Sequence, residues 1–183
     1  MASSVTDDPI LRESRRSELV RRLISHGVRT GIIEKLTGFS RNRQATVRRR
    51  LNVPDKSRLR GPTRTMLELF LDKPRGRAEG AALVTLCFMF DIPIDAEAVT
   101  LSGFVSLNFT DRLCETYEAY RALMPYTEIE LEELLLLRSS IAKGDIRLGR
   151  CRTCKGLILI NPFSGSHRTC AQCSWTASPR APR

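Results

Sequence analysis

Cys151-Arg152-Thr153-Cys154 and Cys170-Ala171-Gln172-Cys173 repeat one spacing, cysteine-x-x-cysteine, with fifteen residues (155–169) between the pairs. Each pair closes a tight knuckle that aims two sulfurs at one point. The intervening stretch is long enough for a short hairpin that brings the knuckles together. Four thiolates around one centre suit tetrahedral Zn²⁺, and a filled shell leaves no open position for water or substrate. The spacing therefore points to one structural zinc held by Cys151, Cys154, Cys170 and Cys173, with two disulfides or Cys-x-x-Cys redox chemistry as the alternatives.

The flanking residues agree. Ile146 and Leu148 alternate with charged or small residues before the first knuckle, and Leu157 to Ile160 is a short aliphatic run. Asn161-Pro162 and Ser164-Gly165-Ser166 are turn signals. Short strands bracketing two knuckles describe a zinc ribbon, whose core is so small that metal binding supplies most of its folding free energy. His167 is read as a ribbon-loop residue, and residues 174–183 have the composition of a loose tail. The N-terminus, MASSVTDDPI, has no basic n-region and no apolar h-region, so it does not read as a secretory signal. A reducing cytoplasm is the expectation, and there paired cysteines are more often metal ligands than disulfides. Cys87 and Cys114 sit in apolar, helical surroundings and read as buried small hydrophobes. No stretch approaches the roughly 20 apolar residues that span a bilayer. The most apolar run, Ala81 to Phe90, contains Thr85 and ends at Asp91.

With 183 residues, the chain has room for one moderate domain and a small appended module, and its 42% hydrophobic residues suffice for a core. A net charge of +10 points to a polyanionic partner, nucleic acid first and an anionic membrane surface second. The charge is segregated. Between Arg12 and Arg77 stand 19 Lys/Arg against 6 Asp/Glu, whereas Asp111 to Glu133 holds 2 against 7. The cysteine region is basic again.

Upstream the periodicity is helical. Leu19, Val20, Leu23 and Ile24 form one amphipathic stripe ending near Gly27, with Arg15, Arg16, Arg21 and Arg22 on the other face. Ile32, Ile33 and Leu36 mark a short helix, Thr37-Gly38-Phe39 a turn, and Ser40 an N-cap for a helix from Arg41 to Leu51. Two short helices joined by a glycine turn describe a helix-turn-helix-like unit. Val47 and Leu51 face inward with Phe39, and Gln44 falls on the inner half, where an aliphatic residue is usual. Arg41, Asn42, Arg43, Thr46, Arg49 and Arg50 are the candidate DNA contacts on this helix. A basic linker, Asn52 to Pro62, follows. Helices are expected over 63–72, 78–90, about 95–107 and 111–123, with a break at Asn108. The helix at 78–90 is apolar nearly all round, as suits a core or a partner-covered element. Thr127 with Glu130 reads as a capping box opening a Leu-rich helix through Lys143 that stops at Gly144.

The expected fold is mainly α: a multi-helix domain with an N-terminal helix-turn-helix-like unit and a small C-terminal four-cysteine, zinc-ribbon-like module. Its segments are a disordered N-terminus (1–14), the basic helix-turn-helix-like segment (15–61), a helical core and partner-binding region (62–144), the zinc-binding module (145–175) and a flexible tail (176–183).

Taken together, the order of these parts resembles the FlhC family, subunits that work with FlhD to activate flagellar operons in bacteria. The resemblance covers roughly residues 15–175. It runs through Ser40-Arg41-x-Arg43 and the all-helical middle, and is strongest in the cysteine pairs placed directly after a Leu-rich helix. It implies a largely helical protein with the four cysteines as zinc ligands. It also implies a hetero-oligomer of four FlhD and two FlhC chains that binds promoter DNA and helps recruit RNA polymerase. The apolar helix at 78–90 and the acidic 111–133 segment are the candidate partner surfaces.

Other function classes fit less well. An RNA- or ribosome-associated zinc-ribbon protein shares the basic front, but RNA readers usually stack bases on aromatics, and only 6% of this chain is aromatic. An enzyme is not expected. His26 and His167 are the only histidines, and no H-E-x-x-H, phosphate-binding or dinucleotide-binding glycine motif occurs. Glu130, Glu132 and Glu133 read as a solvated helix face rather than acid–base machinery.

Overall fold

The computed structural model describes residues 8–53, 66–94, 106–164 and 168–177. Among them are eight helices and one two-stranded sheet. The chain divides into two units, residues 1–62 with 98–115 and residues 63–97 with 116–183. No described helix is long and apolar enough to cross a membrane.

The first unit opens with α1 (Pro9–Ser25), which starts well ahead of residue 15. Local chemistry explains the early start. Asp8 caps the helix by accepting the Ile10 N–H at 2.9 Å, and Pro9 occupies a position where a missing N–H costs nothing. Residues 9–14, expected to be loose, are therefore helical, while 1–7 lie outside the described residues. Leu19, Val20, Leu23 and Ile24 are buried as one stripe. With them pack α2 (Thr30–Thr37) and α3 (Arg41–Arg50), burying Ile33, Leu36 and Phe39. Gly38 ends α2 with φ +73°, a conformation that costs glycine little. Ser40 occupies the N-cap of α3 but its side chain makes no capping bond.

Gln44 resolves its own anomaly. It is fully buried and donates from Nε2 to the carbonyls of Thr30 (3.1 Å) and Phe39 (2.8 Å). An amide at this position stitches the start of α2 and the turn to α3, which an aliphatic side chain cannot do. Arg48 likewise turns inward and donates to the Val28 carbonyl at 3.2 Å. The front of α6 (Leu107–Leu123) completes this unit with Leu113 and Cys114, both fully buried, and the Thr110 hydroxyl donates to the Leu36 carbonyl at 3.0 Å. Asn108 does not break the helix. It is an exposed residue of the first turn, where helix N–H groups lack intrahelical partners and a polar side chain is tolerated. The helix expected at about 95–107 falls mostly outside the described residues.

In the second unit the helix expected at 63–72 is only α4 (Glu68–Leu71), with 63–65 outside the described residues. The next helix, α5 (Pro74–Met89), begins before residue 78 because Pro74 sits in its first turn. Leu83, Val84, Leu86 and Cys87 are buried, whereas Thr85, Phe88 and Met89 are exposed. After α6 comes α7 (Leu131–Lys143), ended by Gly144 at φ +83°. Its capping box lies one turn later than expected: Glu130 is the N-cap, and Glu133 accepts the Glu130 N–H at 2.7 Å.

Thr127 is diverted by a tertiary partner. Its hydroxyl donates to Glu79 Oε2 at 2.6 Å and accepts the Ile129 N–H at 3.1 Å. The Tyr120 hydroxyl reaches the same carboxylate oxygen at 2.7 Å, and Arg75 Nε donates to Glu79 Oε1 at 2.5 Å. Burial pushes the Glu79 carboxyl up, but the bonds from Thr127, Arg75 and Tyr120 outweigh it and leave its pKa below the ordinary value. This network pins the start of α5 to the end of α6 and to the segment before α7.

Strands β1 (Arg147–Arg150) and β2 (Leu157–Ile160) pair antiparallel, Arg147 opposite Ile160 and Arg150 opposite Leu157. A Cβ at Gly80 of α5 would lie 2.6 Å from Leu159 Cδ1 and 3.0 Å from Phe70 Cδ1. Glycine there lets β2 and α4 close on the helix. Residues 174–177, whose composition suggests the start of a loose tail, belong to α8 (Ala171–Ala177), and 178–183 lie outside the described residues.

A carboxyl with a native pKa below its unfolded value stabilises the fold above that unfolded value, near 4.5, and the contribution fades as pH falls through the native pKa. Thr127→Val removes one donor to the buried carboxylate. It is expected to lower stability by about 1–3 kcal/mol in urea unfolding at pH 7, with the deficit shrinking below the usual carboxylate pKa. A pH-independent deficit contradicts the assigned charge state.

Candidate metal centre and basic helix face

Cys151 and Cys154 lie in the turn that joins β1 to β2. The Cys151 N–H donates to the Gly156 carbonyl (2.8 Å), the Lys155 N–H returns to the Cys151 carbonyl (3.0 Å), and Lys155 takes φ +63°. Cys170 immediately precedes α8 and Cys173 lies in its first turn, so the second knuckle is a helix start rather than a strand end. The Arg152 N–H donates to the Arg168 carbonyl at 3.0 Å and ties the two knuckles together.

These constraints bring all four Sγ atoms within 4.8 Å of one another. Cys154 and Cys170 are 3.7 Å apart, close to the edge of a tetrahedron whose centre lies about 2.3 Å from each sulfur. Cys151 is buried, Cys170 and Cys173 are half-buried and Cys154 is exposed; all four are free thiols. The donor set therefore fits one metal ion. Cys87 and Cys114 are fully buried and remote in role; burial pushes the Cys87 thiol up to about 12. His167 lies outside the described residues.

The sulfurs are electrostatically unequal. The Cys170 amide donates to Cys151 Sγ at 3.2 Å and, with the Cys154 amide, holds that thiol down at about 6. Cys173 interacts with the sulfurs of Cys170 and Cys154 and is pushed up to about 12. Four thiolates cannot share so small a volume without a cation. One ionises readily and another resists, so metal entry must expel protons.

The basic helix α3 presents Arg41, Asn42, Arg43, Thr46, Arg49 and Arg50 as exposed residues, with Gln44 and Arg48 turned inward. Their availability differs. Arg43 is ion-paired to Glu13 and its guanidinium lies 4.1 Å from the Phe39 ring centroid. Arg41 faces Glu34 at 3.7 Å. Thr46 donates to the Asn42 carbonyl at 3.3 Å, and Arg49 leans on the Thr46 hydroxyl at 3.4 Å. Arg49 and Arg50 have no carboxylate partner among the described residues. On α1, Arg15 and Arg22 both hold Asp111, at 3.0 and 2.5 Å, and Arg21 meets Glu18 at 3.3 Å. Asp111 and Glu18 together balance two of these three guanidinium charges.

The glutamates of α7 are not a solvated face. Glu132 and Glu133 are 4% and 3% exposed, and Glu133 is committed to the capping box. No family model and no curated protein matches the chain.

Because ligand thiols must lose protons, metal affinity rises with pH. Competition with a chromophoric chelator between pH 6 and 8 is expected to show an increase of at least about tenfold per unit, one proton being the minimum released. Affinity that does not change over this range excludes the four cysteines as the ligand set.

Proposed function

We propose that the chain is a zinc-stabilised, DNA-binding subunit of the FlhC type, acting in the cytoplasm with an FlhD-like partner to activate flagellar promoters and recruit RNA polymerase. Soft thiolates in a set of four favour Zn²⁺ among the common cellular cations, and a fully occupied shell makes the ion structural. In this reading the chain is not an enzyme; its chemistry is recognition.

The observation that carries the DNA-binding reading is the exposure of all six candidate contacts on α3 while Gln44 and Arg48 are turned inward. A short helix fixed by its buried face and following a glycine turn has the build of a recognition helix. Within it, Arg49 and Arg50, free of carboxylates among the described residues, are the strongest phosphate ligands. Asn42 and Thr46 are the candidates for base edges. The partner-facing surface is narrower than the sequence pattern alone suggests. Phe88 and Met89 at the end of α5, 57% and 72% exposed, support it, whereas Glu132 and Glu133 are unavailable.

A second reading, RNA association, draws support from Phe163 and Trp175, 85% and 78% exposed near the cysteines, since single-stranded bases stack on such rings.

The test is titration of the metal-loaded chain, with its FlhD-like partner, on promoter duplex at rising salt. Arg49→Ala with Arg50→Ala is expected to weaken binding at least about tenfold and to flatten the log–log salt slope by about two. An unchanged slope rejects α3 as a phosphate contact, and preference for matched single-stranded RNA favours the second reading.

A further inference from the structure

The lobe around the cysteines carries more positive charge than its metal chemistry needs. From Ile146 to Ala177 its described residues include five Lys/Arg and no Asp or Glu. Four thiolates around a divalent ion leave about two negative charges, less than half of that surplus. Arg147, Arg150, Arg152 and Arg168 line one hollow of about 490 Å³, together with Asn161 and Ser164. All four arginines are exposed, and none forms an ion pair with a described residue. Arg15, Arg22, Arg43 and Arg75, by contrast, each hold a carboxylate.

The backbone that presents these side chains is tied down. Arg147 and Arg150 belong to the paired strand β1, and the Arg152 amide is bonded to the Arg168 carbonyl. A Cβ at Gly149 would lie 2.4 Å from Ile160 Cδ1, so Ile160, which also lines the hollow, folds over bare backbone between the two strand arginines. At the usual strand rise Arg147 and Arg150 are about 10 Å apart. A compact anion would meet only part of the set, whereas an extended polyanion meets all of it. Guanidinium forks match phosphate oxygens, and among the described residues no aromatic ring lines the hollow to stack an unpaired base.

We propose that this hollow grips the phosphodiester backbone of duplex DNA, as a contact separate from α3. The inference rests on the DNA-binding reading and adds a second surface to it. Arg147, Arg150, Arg152 and Arg168 supply charge and position, without reading sequence.

The test compares the full metal-loaded chain with a triple variant, Arg147→Gln, Arg150→Gln and Arg168→Gln, in duplex titrations at several salt concentrations. Binding is expected to weaken at least tenfold at moderate salt and the log–log slope to flatten by about three. The loss should add to that of the α3 double variant. The corresponding triple lysine variant keeps the charge and is expected to retain the slope. A parental slope in the glutamine variant, with the α3 variant still impaired, overturns this proposal alone. A flat salt response in the parent chain overturns both readings. Metal loss from the glutamine and lysine variants alike assigns the arginines to folding and overturns the proposal, as does a larger loss on single-stranded RNA than on duplex.

Discussion

Four sulfurs gathered within 4.8 Å are the constraint on which the C-terminal part of this protein depends. As four thiolates they repel, and as four thiols they gain little from proximity; a divalent cation turns the same geometry from a cost into a source of folding free energy. The lobe has little else to fold it. Two four-residue strands and a seven-residue helix bury Ile146, Ile158, Leu159 and Cys151. What they lack in core a metal bound by the four sulfurs would supply on one side, and α5 supplies on the other, where Gly80 admits Leu159.

Charge in this protein is sorted rather than merely abundant. A net +10 counts every arginine alike, but several are consumed internally. Asp111 takes both Arg15 and Arg22, Glu13 takes Arg43, and Glu79 takes Arg75. Arg49 and Arg50 at the end of α3, and Arg147, Arg150, Arg152 and Arg168 around the cysteines, keep no carboxylate among the described residues. Each carboxylate cancels one guanidinium charge of the surface field, so the arginines without a carboxylate weigh most in what an approaching polyanion meets. The same sorting reaches the acidic stretch, where Glu132 and Glu133 are buried and Glu133 is committed to the capping box of α7.

Local signals were the legible ones. The cysteine spacing, the alternation at Ile146 and Leu148, the glycine stops at Gly38 and Gly144 and the stripe through Leu19 and Ile24 each depend on neighbours a few residues away. The misreadings have distant causes or were decided by an unexpected cap. Thr127 has the spacing of an N-cap, but Glu79, 48 residues earlier, claims its hydroxyl and the cap moves to Glu130. Gln44 looks misplaced until two backbone carbonyls, one of them fourteen residues earlier, are seen to need its amide. Asn108 becomes a first-turn residue because the helix starts just before it. At the other end, the chain after Cys173 continues as α8, although its composition suggests a tail.

X-ray absorption fine structure at the metal edge of protein purified without added chelator tests the central claim most directly. The account predicts one zinc per chain with four sulfur scatterers at about 2.3 Å and no light-atom ligand. A metal-free, folded chain, or a first shell containing nitrogen or oxygen, would contradict it.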